Sequence, residues 1–341
     1  IAAQTRLGAA LVEPVLRLSL TLAEEPLIRR TALRALADLT RGGHAANAAV
    51  VEPHVGDLAR LALGSGGEMG GDGGGAAVIK WPDFCAALDA FASAISAPDV
   101  RLRVMGHAVT PMPDDYGDQP GGADAVHYCA RELTSSASSL VELGNDTFVA
   151  PGKLQERRDA VLRAARVWES LVAGDATCQE LALRLDEGSV FDALAQSCRR
   201  LAGAVRDESP AFAEARKAAA CEAARALFVW IRGSRAAATR LLSSPENLFV
   251  FEGSLKRAGG AGAGTSTSAG GKASPPEALH ACLALVAAAC VVETPADPAA
   301  PGLIEARMGL DEFARMMQAV TRFPAFIAGK AVPSTAASAS Y

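Results

Sequence analysis

The sequence predicts an all-α protein built from one helical unit used about five times. Three observations carry that expectation. Apolar residues recur at spacings of three and four, as in Phe84, Leu88, Phe91 and Ile95, or Val190, Leu194, Cys198, Leu201 and Val205, which puts them on one helical face. Five helical patterns begin beside a proline, at Pro26, Pro82, Pro151, Pro210 and Pro276. After each comes a break and a shorter helical pattern, and no segment shows the alternation of a half-buried strand.

The long helices run in order as "EEPLIRRTALRALADL", "KWPDFCAALDAFASAI", "APGKLQERRDAVLRAARVWESL", "SPAFAEARKAAACEAARALFVWI" and "SPPEALHACLALVAAAC". Proline at such a start sacrifices no intrahelical hydrogen bond, because the first N–H groups of a helix have no partner in it. The breaks and short helices that follow are "RGGHAANAAVV", "APDVRLRV", "AGDATCQELALRL", "RGSRAAATRLL" and "PADPAAPGLIEARM". A third, amphipathic helix follows in at least four units; in "SVFDALAQSCRRLAGAV", Ser189 and Asp192 have the spacing of a capping box. "NLFVFEG" looks β-like in composition, but Ser244 can cap and Pro245 can open a helix, so it too is assigned as helix.

Aligned by their apolar ends, the long helices make Arg34, Ala90, Arg166, Arg225 and Ala284 equivalent, with the prolines 8, 8, 15, 15 and 8 residues earlier. The difference of seven residues is about two helical turns, which keeps the same face inward.

With 341 residues, 50% of them hydrophobic and 21% charged, the chain can bury a large core, and its length permits two or three domains. A net charge of -5 provides no overall basic field, so nucleic acid is not expected as a partner. The seven cysteines are odd in number, scattered and mostly inside apolar patterns, which reads as reduced thiols filling the core of a cytoplasmic or nuclear protein. No secretory signal opens the chain, and the start at Ile1 reads as that of a fragment or a trimmed chain. The longest apolar run, Ala281 to Val292, falls short of the roughly 20 residues that span a bilayer, so no membrane insertion is expected.

Three low-complexity stretches, Gly64 to Gly75, Thr110 to Gly122 and Gly259 to Pro276, together with the tail after Lys330, hold too little apolar surface to offset ordering and are expected to be mobile. The third ends in "GGKAS" but is no phosphate loop: Ser266 stands where the first glycine belongs, and Ala273 replaces the hydroxyl that would hold magnesium. Asp114, Asp115 and Asp118 lack calcium-loop spacing. The pairs His127 with Cys129 and His280 with Cys282 lie in helical patterns far apart, unlike a zinc site. No nucleophile elbow and no cysteine or histidine in a recognisable catalytic setting occurs. The expectation is therefore no enzyme, no cofactor and no metal.

The stretch "ALRALADLTRGGHAANAAVVEPHVGDLARLAL" resembles an armadillo repeat, whose third helix, glycine-containing break, first helix and second helix run in this order. In "RVWESLVAGDATCQELALRLDEGSVFDALAQSC", Leu171, Gly174, Gln179 and Leu183 stand where the first copy has Leu39, Gly42, Asn47 and Val51; a third copy offers Trp230, Gly233, Ala238 and Leu242. The copies lie about 55 to 75 residues apart, longer than the roughly 40 to 47 usual for such repeats, and the related HEAT class stays open. The resemblance implies a right-handed α-solenoid with long Gly-rich loops: armadillo-like repeats over 1–258, a disordered Gly/Ser-rich loop over 259–275, a last repeat over 276–330 and a disordered tail over 331–341.

In that family the third helix of each repeat lines a concave groove, where an asparagine one turn after a tryptophan binds peptide. By position the asparagine sites become Asp38, Ala94, Ser170, Val229 and Ala288, so the asparagine ladder is missing; the tryptophan sites become Arg34, Ala90, Arg166, Arg225 and Ala284. Arginines there would bind carboxylates or phosphates bidentately, although 27 of the 33 basic residues are Arg, so composition alone also yields such coincidences. The expected role is a scaffold or adaptor that takes an acidic or phosphorylated protein segment through Arg34, Asp38, Arg166, Ser170 and Arg225. A chaperone or exchange-factor regulator of a nucleotide-binding client is the second reading, and nuclear import carriage is disfavoured because arginines suit a basic targeting peptide poorly.

Overall fold

A computed structural model describes residues 2–21, 25–40, 45–58, 81–109, 151–203, 209–251 and 275–322, with isolated positions between 126 and 140. The described residues are all-helical apart from short turns, and no strand occurs among them. Residues 64–75, 110–122, 259–274 and 331–341, which hold the expected mobile stretches, the "GGKAS" sequence and Asp114, Asp115 and Asp118, lie outside the described residues.

The helices are α1 (Ala2–Thr21), α2 (Pro26–Thr40), α3 (Ala45–Val51), α4 (Trp81–Ala94), α5 (Pro98–Val109), α6 (Pro151–Val172), α7 (Ala176–Arg184), α8 (Ser189–Ala202), α9 (Pro210–Ile231), α10 (Arg235–Ser243), α11 (Pro245–Leu248), α12 (Pro275–Glu293), α13 (Ala299–Met308) and α14 (Leu310–Arg322). A single 3₁₀ turn, Phe249–Phe251, completes the "NLFVF" segment as a helical element. The long helices pack in chain order, α2 on α4, α4 on α6, α6 on α9 and α9 on α12. The short helices α5, α7 and α10 contact one another in the same order, while α8 backs onto α9 and α14 onto α12. α4, α6 and α9 therefore each have a long helix on either side, and α9 buries Ala219, Ala220, Ala223, Ala224, Ala226 and Leu227 between its neighbours. Alanine on so many faces lets the helix axes approach closely at no cost in side-chain entropy.

The breaks repeat in detail. α6 and α9 each end at a glycine with positive φ, Gly174 at 66° and Gly233 at 86°, the left-handed cap that residues with a Cβ rarely adopt. The next residue then caps the short helix, Asp175 accepting from the Cys178 N–H at 3.0 Å and Ser234 from the Ala237 N–H at 3.2 Å.

On two of the short helices a buried polar side chain near the N-terminus reaches the following long helix. Arg101 on α5 donates to the Ser170 and Ala173 carbonyls at the end of α6, at 3.2 and 2.6 Å. Gln179 on α7 donates to the Val229 and Arg232 carbonyls at the end of α9, at 3.2 and 2.9 Å. Both satisfy the last carbonyls of a helix, which have no partner inside it. Asn47, aligned with Gln179 by sequence, instead turns back to the Leu39 carbonyl of α2 at 2.5 Å.

The expected capping box at Ser189 and Asp192 does not form. The cap position is Gly188, at φ 83°, and it makes no side-chain cap bond. Asp192 faces outward from its own helix and accepts from Arg240 Nε and Nη2 at 3.0 and 2.7 Å and from Asn247 at 2.8 Å, tying α8 to α10 and α11. Partial burial pushes the carboxyl up, but the bonds from Arg240 and Asn247 outweigh it and hold Asp192 below the usual carboxylate range.

A Cβ added to Gly188 would lie 2.4 Å from Arg240 Cζ. Gly188→Ala is therefore expected to lose about 1–3 kcal/mol, from the left-handed backbone and from displacement of a half-exposed ion pair. Because the Asp192 value is depressed in the folded state, its stabilisation is present above the unfolded value and is lost as pH falls through the folded one. In urea titrations the gap between wild type and variant should narrow in acid until only the backbone strain remains.

Candidate functional site

Along α2, the residues Ala32, Leu33, Leu36, Ala37 and Thr40 are buried, which leaves Arg34 and Asp38, one turn apart, on the outer side. Along α6, Ala164, Ala165, Trp168, Leu171 and Val172 are buried, leaving Arg166 exposed and Ser170 half-buried. Between them α4 buries Ala86, Ala87, Ala90, Phe91 and Ala94 and presents Asp89 and Ser93. The three helices enclose a cleft of about 700 Å³, lined by Arg34, Ala37 and Asp38 from α2, Asp89, Ala92, Ser93 and Ser96 from α4 and the turn after it, and Arg166, Glu169 and Ser170 from α6.

Four residues singled out from sequence, Arg34, Asp38, Arg166 and Ser170, thus line one cleft, whereas Arg225 stands beside it and not in its lining. The equivalence of Ala90 and Ala94 with the cleft positions does not hold: both are buried, at 0% and 2% exposure. The reason is helical register. In α4 the cleft is faced instead by Asp89 and Ser93, each one residue before the aligned position. One residue is about 100° of rotation, enough to exchange a core position for a cleft position.

The charges of the cleft are paired unequally. Asp89 meets Arg163 of α6 at 3.5 Å, and Arg163 also donates to the Cys85 carbonyl at 3.3 Å. Glu169 accepts two bonds from Arg225 of α9, each of 2.7 Å, and Arg225 further contacts Glu222 at 3.2 Å. Burial pushes the Glu222 carboxyl above its usual range, Glu169 adds to the shift, and Arg225 and Arg166 oppose it. Asp38 is engaged within the chain as well. Among the described residues, no carboxylate lies at ion-pair distance from Arg34 or Arg166.

Asp89, Ser93, Ser96 and Glu169 escaped the sequence reading. Asp89 needed the true register of α4 against its neighbours; Glu169 needed the neighbouring helix, since its partner Arg225 is 56 residues away. No group of three or more His, Cys, Asp or Glu able to hold a metal occurs among the described residues. No helix is long and apolar enough to cross a membrane, again among those residues.

No protein-family model matches the chain, and no curated protein matches it. Among solved structures, a crystal structure described as an engineered protein, a Northeast Structural Genomics Consortium target, is similar with 17% identity over 93% of this chain and 96% of that one. Its TM-score is 0.45, a level at which it supports no inference about this chain.

Proposed function

We propose that the chain is a right-handed α-solenoid of the armadillo and HEAT class, and that it acts as a non-enzymatic scaffold or adaptor. Its cleft over α2, α4 and α6 takes an acidic or phosphorylated segment of a partner protein. The serial packing of long helices, the second row of short helices and the recurring glycine breaks support the solenoid reading.

The observation that carries the functional reading is the distribution of charge. The cleft carboxylates Asp89 and Glu169 already have arginines, supplied by Arg163 and Arg225. Arg34 and Arg166 enter from the two flanking helices with no ion pair to a described carboxylate, although the Arg166 charge is felt by Glu222. Two guanidinium forks over a half-buried floor favour an incoming carboxylate or phosphate, each of which a fork can hold bidentately. The hydroxyls of Ser93, Ser96 and Ser170 add donors and acceptors for the backbone of an extended segment.

An array of acidic, phosphorylated and neutral peptides probed with the native chain tests this. Acidic or phosphorylated peptides should dominate the bound set, and the double reversal Arg34→Glu with Arg166→Glu should weaken them roughly tenfold or more while leaving helicity intact. Arg225→Gln should weaken them too, because it leaves the Glu169 charge in the cleft without its counter-ion. A native chain that selects no anionic peptide, or a double variant that binds the same set equally well, would rule the reading out.

A further inference from the structure

Glu169 on α6 belongs to the lining of the cleft, whereas its partner Arg225 on α9 stands at the edge and outside that lining. Arg225 Nε donates to Glu169 Oε1 and Nη2 to Oε2, each at 2.7 Å, so one edge of the guanidinium holds both carboxylate oxygens. Nη2 also lies 3.2 Å from Glu222 Oε2. Nη1 makes no hydrogen bond to any of the described residues.

Exposure separates the two partners. The Arg225 side chain is 46% exposed and that of Glu169 16%, so the carboxylate is set into the wall while the guanidinium, on its long stem, is open to solvent. The side-by-side pair is also the geometry in which a guanidinium takes an anion from solution. In the free chain Glu169 fills that place.

We propose, building on the reading of the cleft given above, that Glu169 is a built-in competitor for the ligand and Arg225 a third anion-binding residue held by it. Exchange of Arg225 from Glu169 to the ligand makes the cleft prefer a phosphorylated segment to an acidic one.

Charge sets that preference. A glutamate or aspartate of the partner offers Arg225 the group it already holds, with the same charge and the same pair of oxygens, so displacing Glu169 gains nothing. A phosphoserine brings about two negative charges at neutral pH and three acceptor oxygens, enough to hold Arg225 along one edge and still face the other arginines. Arg166, three residues before Glu169 and so one helical turn away, stays beside the carboxylate that Arg225 leaves. Glu222 competes less well for the released guanidinium, because burial pushes its carboxyl above the usual range.

The test titrates a phosphoserine peptide, and the same peptide with glutamate in that position, against the native chain, Glu169→Gln and the double variant Glu169→Gln with Arg225→Gln. The native chain should bind the phosphopeptide about tenfold more tightly than the glutamate peptide. Glu169→Gln frees Arg225 for either anion, so the glutamate peptide should gain about tenfold and the phosphopeptide about threefold or less, which narrows the gap. The double variant should lose both gains. Equal affinity of the native chain for the two peptides would overturn the proposal, and that result is read whether or not the variants fold. An unchanged gap in a Glu169→Gln chain of native helicity would overturn it too, as would a gain that persists without Arg225, since Glu169 would then act by repulsion alone. In these three cases the anionic peptides still bind, and the reading of the cleft survives; if neither binds the native chain, that reading falls and the exchange with it.

Discussion

Trp230→Ala is expected to lower the free energy of unfolding by about 3–5 kcal/mol, the largest loss of any single truncation proposed for this chain. Trp230 is fully buried, with its ring centroid 5.0 Å from that of Trp168 on α6 and 5.0 Å from that of Phe191 on α8. The contact with Phe191 is edge-to-face, at an interplanar angle of 82°, the arrangement that aromatic quadrupoles favour. Its Nε1 donates to the Gln179 carbonyl at 3.1 Å, so the indole also fixes the short helix α7. Alanine removes the ring, opens a cavity among three helices and strands a buried acceptor. Trp230→Phe keeps most of the packing and loses mainly the hydrogen bond, for about 1–2 kcal/mol. Urea titration of the two variants separates these contributions, and equal losses would mean that the bond, not the ring, dominates.

Arg101→Met is expected to cost about 2–4 kcal/mol although methionine fills similar space. Arg101 is 7% exposed, and its two bonds close the Ser170 and Ala173 carbonyls at the end of α6. Relief from burying a guanidinium offsets part of the loss, but two acceptors at a helix end remain without their donor. Ser170 also lines the cleft, so hydrogen exchange should show faster opening of the last turn of α6, and anionic peptides should bind more weakly. Unchanged exchange in that turn would show that water replaces Arg101 without loss.

Much of the helical plan was legible from residues alone. Pro26, Pro151 and Pro210 open helices where expected, and the glycine breaks at Gly174 and Gly233 follow where the apolar stripes end. Local physics sets these features, so a local reading finds them. The errors arise where the deciding partner is distant. Asp192 looks like a capping residue until Arg240, 48 residues on, and Asn247, 55 residues on, claim it. Arg225 looks like a free cleft cation until Glu169 takes both faces of its fork. The register of α4 is off by one residue, about 100° of rotation, because alignment on Pro82 and the apolar end does not set which residues the neighbouring helices leave facing the cleft.

The bonds made by Arg101 and Gln179 also impose an order in time. Each joins a short helix to carbonyls that come later in the chain, by 69 and 72 residues for Arg101 and by 50 and 53 for Gln179. During synthesis, each of these side chains leaves the ribosome well before its acceptors do. A growing chain that ends inside α9 thus carries a buried-to-be amide with nothing to donate to, and its last completed unit is held together less firmly than it will be. These two units are each finished by a successor, so protease resistance of stalled nascent chains should rise in steps as α6 and then α9 emerge.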